Sequence, residues 1–164
     1  TEYGEGEDQI NETLEAIKLL DIQTIVLWPN ADAGSDDISK GIRKWREKGL
    51  DKNIRLFKNL PTDDYIRLMS KTSCLVGNSS SGIREGAYIG TPVVNIGTRQ
   101  RDRERGKNVI DVEHSREKIY EAIKKQLKEG SYKSENIYGT GDSGQKISKI
   151  LENWSMSSEK IITY

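Results

Sequence analysis

Residues 74–96, Cys74-Leu75-Val76-Gly77-Asn78-Ser79-Ser80-Ser81-Gly82-Ile83-Arg84-Glu85-Gly86-Ala87-Tyr88-Ile89-Gly90-Thr91-Pro92-Val93-Val94-Asn95-Ile96, decide the fold. Cys74-Leu75-Val76 and Pro92-Val93-Val94-Asn95-Ile96 are short, nearly continuous apolar runs, as strands buried on both faces are. The residues between them hold a glycine- and serine-rich turn and then enough chain for a helix after Gly82. A crossover of that length joins parallel strands, and its hand is right-handed.

The same alternation extends in both directions. Ile10, Leu14, Ile17 and Leu20 recur at helical spacing ahead of a strand at Thr24-Ile25-Val26-Leu27-Trp28, which Pro29 closes. Ser35 is the expected cap of a second helix, with Asp36 and Asp37 in its first turn and Ile38, Ile42 and Trp45 on one face. A strand at Ile54-Arg55-Leu56-Phe57 and a helix from about Thr62 to Lys71 lead back to Cys74. Beyond Ile96 come a short strand at 108–112, a helix capped by Ser115 and running to about Lys128, and a last helix striped by Ile147, Ile150, Leu151 and Trp154. The pattern is a doubly wound, Rossmann-like α/β fold with a parallel sheet covered on both faces. The first helix has no strand ahead of it, so an opening strand is expected to be missing and to leave an edge or groove. Residues 1–154 read as one domain and 155–164 as a tail, and both ends, 1–7 and 155–164, lack periodicity.

The 164 residues carry 26 Lys plus Arg against 26 Asp plus Glu. That length is one domain's worth of chain. Zero net charge gives no long-range field for nucleic acid or anionic membranes, and no apolar run is long enough to span a bilayer. A single cysteine, Cys74, excludes a disulfide scaffold and reads as core. Without a basic, then apolar opening, the N-terminus is read as neither a natural start nor a signal peptide, and the chain as part of a cytoplasmic protein.

Ligands of open parallel sheets bind beyond the strands' carboxyl ends. Residues 77–82, Gly-Asn-Ser-Ser-Ser-Gly, place three hydroxyls and several amide hydrogens at a helix start, which suits either a phosphate or a plain serine cap. Glu85 follows within about a turn; it is either a favourable first-turn acid or the acceptor for vicinal ribose hydroxyls. Residues 29–35, Pro-Asn-Ala-Asp-Ala-Gly-Ser, either offer an amide, a carboxylate and a hydroxyl to a ligand from one tight turn or form an ordinary loop that ends in a helix cap, and Asn59-Leu60-Pro61-Thr62 reads as turn chemistry. In the cationic loop 97–107, Arg99 stands closest to the strand end and can reach a diphosphate, whereas Arg101 to Arg105 read as a solvated run. His114 reads as an exposed loop residue, and no carboxylate pair marks a metal or acid/base centre. The reading is a nucleotide holder with no catalytic residue of its own.

The segments 29–35, 77–85, 91–100 and 136–141 together resemble the hydrolysing UDP-N-acetylglucosamine 2-epimerases, over nearly the whole chain. The resemblance implies the C-terminal, UDP-binding half of an enzyme built like two-domain GT-B glycosyltransferases. Such enzymes convert UDP-GlcNAc and water to N-acetylmannosamine and UDP at the head of sialic-acid-type biosynthesis, by elimination to a glycal and hydration. It puts Ser79 and Ser80 on the diphosphate, Glu85 on the ribose and the backbone of Leu60 at the uracil, with Asn30 and Arg99 completing the pocket. It implies no metal or cofactor, acid/base carboxylates that come largely from a missing N-terminal domain, a histidine that precedes the segment matching Thr1-Glu2, UDP-sugar and UDP as ligands, and a homo-oligomer when full-length. The nonhydrolysing epimerases, whose serine loop reads more like Asp-Ser-Gly-Gly, and a non-catalytic nucleotide-sugar-binding module are the alternatives. A UDP-diacetamido sugar is an alternative substrate.

Overall fold

The structure, a computed structural model, describes residues 5–49 and 52–155. In chain order the elements are α1 Gly6–Leu20, β1 Thr24–Leu27, α2 Ser35–Glu47, β2 Ile54–Phe57, α3 Thr62–Lys71, β3 Leu75–Gly77, α4 Ser80–Ile83, α5 Glu85–Ile89, β4 Val93–Ile96, β5 Val109–Val112, α6 Arg116–Glu129 and α7 Ser143–Glu152. Most of the expected elements are present, with strands β3, β4 and β5 starting one residue late.

The expected single sheet is instead two parallel sheets among the described residues, β1-β2 and β3-β4-β5. In the first, Thr24 to Leu27 run in register with Ile54 to Phe57. In the second, β4 pairs with β3 on one side and β5 on the other, so its four residues are all buried. Helix α1 joins the two. Its Leu14 and Ile17 pack with Ile42, Trp45 and Ile54 of the first unit, while Ala16, one face over, packs with Val94, Ile96, Ile119 and Ile123 of the second. Nothing hydrogen-bonds β1 to β3. The opening-strand expectation takes this form: a helix spans two sheets that do not pair.

Several local expectations are corrected. Gly34, in the left-handed region at φ 81°, occupies the N-cap of α2, and Ser35 is its first helical residue. Gly6 is buried and already helical, so periodicity hid a start whose neighbours are Asp37 and Gly34. The helix expected after Gly82 starts earlier, at Ser80, and breaks at Arg84 into two short pieces. Gly82 and Gly86 explain its closeness to the sheet: a Cβ on Gly82 would stand 3.0 Å from Val93 Cγ1 and 3.1 Å from Leu75 Cδ2. Ser115 caps α6 as expected, accepting from the Lys118 N–H at 3.4 Å. Ile25 and Phe57 remain about 39% and 40% exposed, so the β1-β2 sheet is covered on one face only. The stripe of α7 is exposed as well, and Trp154 lies beyond the helix end. The expectations for residues 1–4 and 156–164 lie outside the described residues.

Candidate functional site

Within each sheet the strands run parallel, so the loops after β1 and β2 leave one sheet at the same end and those after β3 and β4 leave the other at the same end, and bonds tie the loops after β1, β3 and β4 together. Ser79 is the N-cap of α4: its hydroxyl accepts from the Ser81 N–H at 3.3 Å and lies 2.8 Å from the Ser81 hydroxyl. Ser81 Oγ is in turn 2.6 Å from the Tyr65 hydroxyl, so α3 braces the serine loop from behind. Gly82 N–H donates to Ser79 O at 3.3 Å. Two of the amides counted as available to an anion are therefore spent inside the loop. With α4 only four residues long before its break, the anion-binding capacity of this loop rests more on hydroxyls than on a helix dipole.

The buried amide of Gln100 locks this loop to the next one: its Nε2 donates to Asn78 O at 2.9 Å. Arg99 is exposed, and its guanidinium donates to Asp32 Oδ2 at 3.0 Å, which joins the β4 loop to the 29–35 loop that holds Asn30. Asn30 itself is exposed, and its carbonyl accepts from the Asp32 N–H at 2.8 Å. Ser79, Ser80, Asn30 and Arg99 are thereby connected through two side chains, Gln100 and Asp32, that the sequence reading gave no role. The signal for Gln100 was its place one residue after Arg99. Pattern alone does not reveal that its amide faces inward.

Glu85 is exposed at the first position of α5, out of the sheet-facing core. Beside it the guanidinium of Arg84 lies over the Tyr138 ring, 5.7 Å from its centroid, and the Tyr138 hydroxyl donates to Glu104 O. Segment 136–141 thus reaches the α4–α5 break, anchored upstream where the Glu135 N–H donates to Ala87 O at 2.9 Å. Leu60 is half-buried after β2, and its N–H is taken by Asn59 Oδ1 at 2.9 Å, so its free backbone partner for a base is the carbonyl rather than the N–H.

Two other readings change. Arg105 is no solvated bystander: its guanidinium donates to the carbonyls of Gln100 and Arg101 and pairs with Asp111, folding the 97–107 loop back on itself. His114 is half-buried rather than exposed, and its ring fills the space beside Gly97, where a Cβ would lie 2.5 Å from Nε2. Gly97 has φ 78°, so glycine there serves both turn and ring. Cys74 behaves as expected of core: burial pushes its thiol up to about 12, far from the range of a nucleophile. Among the described residues no group of three or more His, Cys, Asp or Glu is placed to hold a metal ion, and no helix is long and apolar enough to cross a membrane.

Parallel strands joined by helices, with a serine loop after β3 and an arginine after β4, define the class of Rossmann-like α/β domains. The family described as UDP-N-acetylglucosamine 2-epimerase matches residues 1–152, and the chain belongs to that family. It is 31% identical over 92% of its length to the UDP-N,N'-diacetylbacillosamine 2-epimerase (hydrolyzing) of Legionella pneumophila. It is 29% identical over 89% of its length to the UDP-N-acetylglucosamine 2-epimerase of Neisseria meningitidis serogroup B. The chain spans about 39% of the length of each of these relatives. A solved structure of the Methanocaldococcus jannaschii UDP-GlcNAc 2-epimerase, in complex with UDP-GlcNAc and UDP, shares the fold with a TM-score of 0.69 at 15% identity, over 92% of this chain and 42% of that one.

Proposed function

We propose that this chain is the UDP-binding half of a hydrolysing UDP-N-acetylglucosamine 2-epimerase. The observation that carries the reading is the joined rim: Gln100 fastens the Ser79-Ser80 loop to the β4 loop, and Arg99 reaches across to Asp32. On this reading the two serine hydroxyls face the diphosphate and the Glu85 carboxylate accepts from the ribose hydroxyls. The carbonyl of Leu60 meets the uracil, and Asn30 lines the far side. Asp32 holds the planar fork of Arg99 at the rim until the more highly charged diphosphate competes for it. None of these groups is a proton-transfer centre, so the acid/base work of eliminating UDP and hydrating the glycal falls to the rest of a full-length, cytoplasmic enzyme.

Calorimetric titration of the full-length protein with UDP tests the assignment. Glu85→Ala removes charge-assisted bonds to two hydroxyls and is expected to weaken binding by about 1.5 to 3 kcal/mol, or roughly ten- to a hundredfold. Unchanged affinity in a folded variant refutes it. A second reading, in which the sugar is a 2,4-diacetamido relative, is supported by the names of the Legionella relative and of a Campylobacter jejuni GDP/UDP-N,N'-diacetylbacillosamine 2-epimerase (hydrolyzing), 40% identical over 51% of this chain. Product analysis with both UDP-sugars separates the substrates. Release of free UDP, rather than a UDP-linked epimer, separates hydrolysing from nonhydrolysing turnover.

A further inference from the structure

Ser79, Ser81 and Tyr65 place their hydroxyls in series, and we infer that Tyr65 is a positioning residue for the diphosphate: through Ser81 it aims the Ser79 proton at the ligand. This role rests on the proposed placing of Ser79 at the diphosphate. Ser79 Oγ lies 2.8 Å from Ser81 Oγ, which lies 2.6 Å from the Tyr65 hydroxyl. Ser79 is exposed at the outer end, and Ser81 and Tyr65 are half-buried behind it. A hydroxyl has one proton to donate and two lone pairs with which to accept. The diphosphate of a UDP-sugar offers acceptors only, so Ser79 serves it only by donating its proton outward. That requirement fixes the other protons of the series. The proton between Ser79 and Ser81 must come from Ser81, and the proton between Ser81 and Tyr65 must then come from Tyr65, because Ser81 has no second one to give. Ser79 Oγ also accepts from the Ser81 N–H at 3.3 Å. With that amide and the Ser81 hydroxyl on its two lone pairs, its proton is the only bonding capacity left to it.

The opposite polarity is the one that Tyr65 opposes. If Ser79 donated to Ser81 and Ser81 to Tyr65, Ser79 would turn a lone pair toward the phosphate and repel it. A phenol is a better donor and a poorer acceptor than an alkyl hydroxyl, so a tyrosine at the inner end favours the outward order. Hydrogen bonds in series also polarise one another, and each donation strengthens the next. The loop depends on this because its other donors are few: the Ser81 and Gly82 N–H groups are spent on Ser79, and α4 is only four residues long. Helix α3 is seated independently of the phenol oxygen. Its Met69 is buried, and the Met69 carbonyl accepts from the Thr91 hydroxyl at 2.9 Å. The same helix starts at Thr62, directly after Leu60 and Pro61, so on the proposed reading one element supports both the uracil contact and the diphosphate donor.

A double-mutant cycle on the full-length protein, read by calorimetric titration with UDP, is the test. Tyr65→Phe keeps the ring, removes the terminal donor and is expected to weaken UDP binding about three- to tenfold. Ser79→Ala is expected to weaken it at least as much, and on that background Tyr65→Phe should add nothing, because its effect reaches the ligand only through the Ser79 hydroxyl. A bracing role alone would cost the same with or without that hydroxyl, since a displaced loop also carries Ser80 away from the ligand. Equal cost on the two backgrounds therefore overturns the positioning role. So does unchanged affinity in Tyr65→Phe beside weakened affinity in Ser79→Ala, an outcome that leaves Ser79 on the diphosphate. Unchanged affinity in both single variants removes Ser79 from the diphosphate and overturns the role with it.

Discussion

Gln126 shows what a single polar side chain contributes to this fold. It is fully buried on α6, yet both of its amide hydrogens and its oxygen are bonded: Nε2 donates to Val93 O at 2.7 Å and Asn108 O at 2.8 Å, and Oε1 accepts from the Tyr132 hydroxyl at 2.7 Å. It therefore binds α6 to the backbone that opens β4 and β5. Gln126→Ala is expected to cost about 2 to 4 kcal/mol, combining lost bonds with a cavity, and Tyr132→Phe about 1 kcal/mol; urea unfolding of the two variants checks both. Gln100 does at the rim what Gln126 does in the core, and neither was legible in the sequence. Serines beside glycines announce a turn by their backbone chemistry, and an acid one turn later announces itself by spacing. A glutamine's amide carries no such signature, because its partner is a carbonyl brought close only by folding. The same limit hid Arg105 and His114, whose roles depend on what folds back onto them.

At the scale of elements, the periodicity of residues 10–20 revealed α1 and its apolar face, but not that the face serves two sheets at once. Short parallel strands were legible because their apolar runs are continuous. How they pair depends on hydrogen bonds across long crossovers, which local pattern does not encode, so one expected sheet became two. The break at Arg84 was hidden for a related reason: Gly82 and Gly86 look like helix weakeners in sequence, and only the approach to Val93 shows that the short pieces lie almost on the sheet. Helix α1 is held to α2 by Glu7, which pairs with Lys40 at 3.2 Å and with Lys44. Those two lysines lower the Glu7 carboxyl below its ordinary range, the hydrogen bond to Lys44 most. A depressed carboxylate stabilises the folded state above the unfolded value of about 4.3, and the contribution is lost as pH falls through the lower folded value. Thermal unfolding of the protein and of Glu7→Gln should differ near pH 7 and converge as the pH drops below about 4. A difference that stays constant down to pH 3 shows that the ion pairs play no part.

For the molecule as a whole, the sequence resolved fold class far better than closure. Its elements define a parallel α/β unit in which the loops after β1, β3 and β4 are bonded together, and the family match over residues 1–152 agrees with that unit. Three features look outward from it: the interval under α1, the uncovered face with Ile25 and Phe57, and the α7 stripe in which Ile150 and Leu151 are 58% and 65% exposed. Asn30, Glu85 and Arg99 are exposed too, and on the proposed function they hold a nucleotide while the rest of an enzyme acts on the sugar. The claim on which everything else depends is that this rim is the nucleotide site. A crystal structure of the full-length protein with UDP tests it most directly. The account predicts diphosphate oxygens within about 2.7 to 3.2 Å of the Ser79 and Ser80 hydroxyls, ribose hydroxyls donating to Glu85, and the Arg99 fork turned toward the phosphates. UDP bound elsewhere, with Glu85 in solvent and Arg99 still on Asp32, contradicts it.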